Sequence, residues 1–172
     1  MKTKRLTNPE KRVLIAKDVI KLIKADKIII KRGRYFYTGL TPTYKGKQLK
    51  DILPKIKKCE VCALGGLFYS YVSKYNNYEI NYDGLRYIDE MDDEMRDLLK
   101  DIFSVKQLRL IECAFEMIDV ENACKSEGYS WKTIQRAKDY REYYDLQFKK
   151  DDDQALIHIM KNIISNKGVF KV

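Results

Sequence analysis

Cysteines, a single histidine and a run of alternating cations and aromatic rings are the residues of this chain equipped for chemistry. Cys59 and Cys62 form a Cys-x-x-Cys pair, a spacing used for zinc and for thiol exchange. A closed zinc site needs four ligands, and Cys113, Cys124 and His158 stand at separations that form no second knuckle. The pair also follows no strand of a βαβ unit, as a thioredoxin-like site would require. The four thiols therefore read as reduced, packed side chains, and no metal is expected. An alternative keeps them chemical: a small nucleotide-acting enzyme with Cys59 or Cys62 at a helix N-terminus, its thiol pKa lowered. His158 sits in Leu156-Ile157-His158-Ile159-Met160, on an amphipathic helix, and reads as a packed or rim histidine. No phosphate-cradling Gly-rich loop is present, and the acids of 89–101 lack the glycine and spacing of a calcium loop. The expectation is a chain with no catalytic residue and no cofactor.

The basic-aromatic run is the strongest candidate for a site. Lys31, Arg32 and Arg34 stand beside Tyr35, Phe36 and Tyr37, and Tyr44, Lys45 and Lys47 follow. Cations meet phosphates while rings stack on bases, so this set could hold an anionic ligand. Arg32 and Arg34 are expected to make the contacts and Tyr35 or Tyr37 to supply the stacking surface. Strand alternation would put Tyr35 and Tyr37 on one face and Arg34 and Phe36 on the other. The competing reading is a hairpin packed by its aromatics, with basic edges that discourage strand pairing.

The charge distribution supports an anionic partner. The net charge is +9, but residues 1–60 hold eighteen Lys and Arg against five acids, and residues 61–172 hold sixteen against twenty. Such asymmetry points to nucleic acid, a phosphorylated ligand or an acidic protein face. It could equally be spent inside the fold, with the basic third lying against the acidic stretch Asp89–Asp101.

These residues must be positioned by one domain of 172 residues, basic over 1–60 and slightly acidic over 61–172. Asn8 as N-cap and Pro9 in the first turn open a helix to about Asp26 with Val13, Ala16, Val19, Ile20 and Ile23 on one stripe. Lys27–Lys31 reads as a strand, Arg32-Gly33 as a turn and Arg34–Thr38 as the returning strand of a hairpin. Gly39–Gly46 is a loop, and Gln48–Ile56 a short helical turn broken by Pro54. Cys59 to Lys74 is the most apolar helix and the central one. Its Gly65-Gly66 pair lowers helix propensity, so close approach of another backbone is expected there. An acidic helix over 89–101 follows. A helix capped by Ser104 carries Leu108 to Ile118, another opened by Ser130 runs to Phe148, and a last one from Asp151 stops at Asn166-Lys167-Gly168. Val169–Val172 is free to add a strand. The fold class is α+β, mainly α: five to six helices with a small antiparallel hairpin or sheet.

The longest uncharged apolar run, Val61–Val72, is twelve residues, too short to span a bilayer. With no apolar leader after Met1, a cytoplasmic protein without membrane contact is expected. Tyr69, Tyr71, Tyr75, Tyr78, Tyr82 and Tyr87 cluster after the central helix and could form a homodimer face, the structural alternative to a ligand-binding role.

Three segments in order, Val13-Leu14-Ile15-Ala16-Lys17-Asp18-Val19, Cys59-Glu60-Val61-Cys62-Ala63-Leu64-Gly65-Gly66-Leu67-Phe68 and Ala155 to Phe170, resemble a family of small bacteriophage and mobile-element proteins. The resemblance implies an accessory protein of the host cytoplasm that blunts a defence by binding. Together with the basic third, the basic-aromatic run and the lack of a catalytic motif, it makes the expected partner a nucleotide signal, a nucleic acid or a nucleic-acid-binding host protein.

Overall fold

A computed structural model describes residues 5–37, 46–80, 92–116, 128–148 and 151–172. Among them are seven helices and one small sheet, a mainly helical α+β fold. The helices are α1 (Asn8–Lys24), α2 (Leu49–Ile52), α3 (Ala63–Tyr75), α4 (Asp92–Lys100), α5 (Val105–Phe115), α6 (Trp131–Gln147) and α7 (Asp152–Ser165). The strands are β1 (Ile28–Ile30), β2 (Phe36–Tyr37) and β3 (Cys59–Val61).

Helix α3 is the axis of the fold. Every residue from Ala63 to Val72 is buried, as the all-round apolar sequence requires. Helices α1, α2, α4 and α5 all pack against it, and α1 also lies along α7. Helix α1 begins one residue earlier than its Asn-Pro signal suggests. Thr7 is the N-cap, and Thr7 with Glu10 forms a reciprocal capping box. Asn8, freed from capping, donates instead to the carbonyl of Asp101 at 3.0 Å. Ser104, Ser130 and Asp151 cap α5, α6 and α7 as expected. The helix expected as far as Ile118 is described to Phe115; Met91, Ile118, Tyr82, Tyr87 and Cys124 lie outside the described residues.

The sheet differs from the expected hairpin. The strand order is β1-β3-β2: β1 pairs parallel with β3, and β2 pairs antiparallel with β3. Cys59–Val61, expected as the first turn of the central helix, is the middle strand, and the helix begins only after Cys62. The short stretch Cys-Glu-Val alternates buried, half-buried, buried, which is a strand's period and not a helix's. Gly33 does take the left-handed conformation that a turn demands (φ +72°), but its turn leads around β3 instead of back onto β1.

The tail Val169–Val172 adds no strand to the sheet. It is held by two side-chain amides that act as ladder partners. Gln107 accepts from Phe170 N–H at 2.7 Å and donates to the Phe170 carbonyl at 3.2 Å. Asn162 accepts from Lys171 N–H at 2.9 Å and donates to the Lys171 carbonyl at 2.7 Å. These bonds satisfy the tail backbone while Phe170 is buried against the Tyr140 ring.

Candidate functional site

Each residue from Lys31 to Tyr37 has a definite side, and this sorting creates the site. Ile28, Ile30, Phe36, Cys59 and Val61 face the core. The opposite face of the sheet carries one row across the three strands: Ile29 opposite Glu60, and Glu60 opposite Tyr37. Ile29 is exposed, and Glu60 is half-buried between its neighbours. Lys31 and Arg34 also face outward, with side chains 52% and 37% exposed. Both reach the same carboxylate. Lys31 Nζ is 3.6 Å and Arg34 Nε 3.8 Å from Glu60 Oε2. The Arg34 guanidinium lies over the Tyr37 ring, 5.5 Å from its centroid. At the other end of the parallel pair, Lys27 and Lys57 are exposed, and Lys58 is paired with Asp26. Cations therefore bracket the open sheet face at both ends, about 13 Å apart along a strand at ~3.3 Å per residue.

Arg32 and Tyr35 turn the other way. The Arg32 side chain is only 12% exposed. It forms ion pairs with Asp145 of α6 and Asp152 of α7; its Nε is 3.1 Å from Asp152 Oδ1, although that N–H is not aligned for a hydrogen bond. The guanidinium lies over the Phe115 ring at 5.3 Å. Burial opposes its charge, but Asp145, Asp152 and Glu116 outweigh burial and hold its pKa above the ordinary value. The backbone of this segment is tied down by carboxylates as well. Gly33 N–H donates to Glu116 Oε2 at 2.8 Å, and Arg32 N–H to Asp152 Oδ2 at 3.4 Å. The second of these occupies a backbone donor just past the free edge of β1.

Tyr35 completes the inner cluster. Its hydroxyl donates to Glu112 and accepts from Arg96 Nη2 at 3.0 Å. Glu112, with a side chain 2% exposed, also receives Arg96 and, at 2.6 Å, Arg109. Guanidiniums from the loop, α4 and α5 thus meet carboxylates of α5, α6 and α7 around the β1–β2 connection. Burial raises the Glu116 pKa, and the nearby charge of Glu112 adds to it. The Gly33 N–H, the Cys62 thiol and Arg32 work in the opposite direction.

The expected site is therefore divided. Lys31, Arg34 and Tyr37 gather on the outward face; Arg32 and Tyr35, expected at the ligand, are structural groups of the inner cluster. Tyr44 and Lys45 lie outside the described residues. Lys47 is exposed on a different segment, where its carbonyl accepts from Ile80 N–H at 3.0 Å. The alternative that the basic third lies against Asp89–Asp101 falls partly outside the described residues; Arg32 is neutralised inside the fold by Asp145 and Asp152 of the later helices. Glu60 and Ile29 carry no site signal in the amino-acid order, because Cys59–Val61 reads there as the first turn of the central helix. Alternation of Ile28–Ile30 against a recognised third strand would have exposed both.

Among the described residues, the Cys59 and Cys62 thiols are not activated as nucleophiles. Cys62 is the N-cap of α3, yet burial and the Glu116 carboxylate raise its pKa well above the ordinary value against the pull of the Leu64 and Gly65 N–H groups. Burial pushes Cys59 up to about 12. The lowered thiol pKa required by the enzyme alternative is thereby corrected to a raised one. Cys59, Cys62 and Cys113 are all buried. A native sample titrated with Ellman's reagent at pH 8 should leave these three unreacted until denaturant is added. Rapid native labelling of Cys59 or Cys62, located by peptide mapping, would contradict their placement.

Among the described residues, no group of three or more His, Cys, Asp or Glu is arranged to hold a metal, and no helix is long and apolar enough to cross a membrane. His158 packs against the stacked rings of Tyr144 and Phe148, at 4.7 and 4.8 Å between centroids. Burial, with some help from Lys161, lowers its pKa, so it is a packed neutral imidazole. Tyr69, Tyr71 and Tyr78 are buried in the core and are unavailable to a dimer face. No family model, curated protein or solved structure matches the chain.

Proposed function

We propose that this chain is a non-enzymatic accessory protein of the bacteriophage type that binds an anionic partner, a nucleic-acid strand or nucleotide, on the open face of its three-stranded sheet. The observation that supports this most is the loose attachment of Lys31 and Arg34 to Glu60. Distances of 3.6 and 3.8 Å are charge attraction without a close hydrogen bond. Exposed pairs of this kind are worth about 0–1 kcal/mol. A phosphate gripped by a guanidinium forms charge-assisted bonds of roughly 1.5–3 kcal/mol, so it can displace the carboxylate. Tyr37, already beneath Arg34, then offers its ring to a base. The resemblance to small phage proteins supports a role exercised by binding, in the host cytoplasm, against a host defence.

The test is fluorescence anisotropy with a fluorescein-labelled 12-mer of deoxythymidine at several salt concentrations. Binding should weaken steeply with salt, by a slope of about 0.7 per phosphate neutralised on a single strand. The double variant Lys31→Glu/Arg34→Glu removes two cations from a solvent-facing position. Its slope should be shallower by about 1.4, if each cation neutralises one phosphate. An unchanged slope would show that the sheet face does not contact the strand.

A further inference from the structure

A second surface lies on α1, away from the sheet. An open groove of about 550 Å³ runs between α1 and the end of α7, with a floor of Leu6, Pro9, Val13, Leu14 and Ile164 and with Lys17 and Lys167 at its margin. A smaller groove of about 290 Å³ continues past Leu14 and Lys17 to Lys21, Lys74 and Tyr75. Together they form a trough along α1 from Leu6 to Lys21, about 22 Å long at ~1.5 Å per helical residue. Leu6 and Leu14 are 37% and 38% exposed, a cost that an isolated helix surface does not need to bear.

The charges around the trough indicate its occupant. Its two acids are already committed. Glu10 completes the Thr7 capping box, and Asp18 accepts from Ser70 Oγ at 2.9 Å and pairs with Lys74 at 2.9 Å. Lys17, Lys21 and Lys167 are exposed, and among the described residues they have no ion-pair partner. A second copy of the chain would bring these ammonium groups against their own images. The segment before Arg5 carries Lys2 and Lys4 and has the same sign. An apolar floor of helical length with free cations along its margin fits a helix with a leucine stripe and acidic flanks, laid in the groove by anchors at i, i+3/i+4 and i+7.

We propose that the α1–α7 trough docks an acidic amphipathic helix of a partner protein. The probe is a 16-residue, end-capped, fluorescein-labelled peptide with leucines at helical spacing and glutamates elsewhere, and its mirror in charge carries lysines instead. The acidic peptide should bind saturably at 50 mM NaCl and more weakly at 300 mM, and the lysine peptide should not bind. Leu14→Asp should weaken binding at least tenfold, with folding checked by circular dichroism. Lys17→Glu/Lys21→Glu alters only exposed side chains and should weaken it at least fivefold, so the test stands even if Leu14→Asp unfolds. Lys31→Glu/Arg34→Glu should bind the peptide like the parent, which separates this proposal from that for the sheet face. Equal binding of the two peptides, or parent-like binding by both α1 variants, would overturn the proposal. So would a dimer in sedimentation, or capture by phosphatidylglycerol vesicles, that Leu14→Asp abolishes, since the occupant would then be a second copy or a lipid surface.

Discussion

Replacing Glu112 with alanine should destabilise the protein by about 3 kcal/mol. Removing one member of a buried charge cluster typically costs 3–5 kcal/mol, because the charges left behind stay desolvated without a partner. Glu112 accepts from Arg96, Arg109 and the Tyr35 hydroxyl, and its carboxylate is almost completely buried. The two guanidiniums retain some contact with water, at 20% and 22% side-chain exposure, and this places the expected cost at the lower end. Against a total stability of about 5–15 kcal/mol for a domain, the loss is large. Glu112→Gln keeps an acceptor for part of the network and should cost about half as much. Urea denaturation of the three proteins checks both numbers. A Glu112→Ala loss below about 1 kcal/mol would mean that water replaces the carboxylate at little cost and that the cluster does not hold the β1–β2 connection in place.

The adjacent glycines of α3 should respond in opposite directions to the same substitution. A Cβ on Gly65 would lie 1.5 Å from the Tyr35 carbonyl oxygen and 2.7 Å from its carbon. Both are backbone atoms of the segment leading into β2, so no rotamer relieves the clash. Overpacking costs typically 1–3 kcal/mol and more where backbone must move. Gly65→Ala should therefore lose about 3 kcal/mol or more, a fall in melting temperature of roughly 6–12 °C for a chain of this size. A Cβ on Gly66 meets only side-chain carbons of Val19, Leu156 and Val61, at 3.5–3.9 Å. That is ordinary contact, and the alanine recovers up to ~1 kcal/mol of helix propensity. Gly66→Ala should melt 2–4 °C higher. Equal melting temperatures for the two variants would show that β2 does not lie on α3 as described.

The Gly65 contact also shows what could be read from the amino-acid order. A glycine pair inside the most apolar helix is a local cost that needs a reason, and an approaching backbone is that reason. The caps at Ser104, Ser130 and Asp151, the central place of α3 and the stop at Gly168 were legible for similar reasons, since each depends on neighbours within a turn or two. The strand Cys59–Val61 was not legible. Three residues carry too little periodicity to separate a strand from a first helical turn, and its partners are about thirty residues away. The site suffered from the same defect. Lys31 and Arg34 could be recognised as candidates, but the side to which Arg32 faces is set by Asp145 and Asp152, more than a hundred residues later in the chain. Composition revealed a basic third; only the pairing of individual charges distinguishes the cations neutralised inside the fold from those left on the sheet face.

Glu60 gives the central claim its most direct test. It occupies the middle of the proposed surface and holds both Lys31 and Arg34, so it competes with any incoming phosphate. Anisotropy titration of the labelled deoxythymidine 12-mer at fixed low salt should show Glu60→Gln binding three- to tenfold more tightly than the parent. Such a gain corresponds to about 0.6–1.4 kcal/mol and matches the loss of one exposed charge pair. A gain is hard to produce by damage to the fold, which makes the direction of the change informative. Binding by Glu60→Gln that is equal to or weaker than that of the parent would contradict the assignment of the sheet face as the anion site.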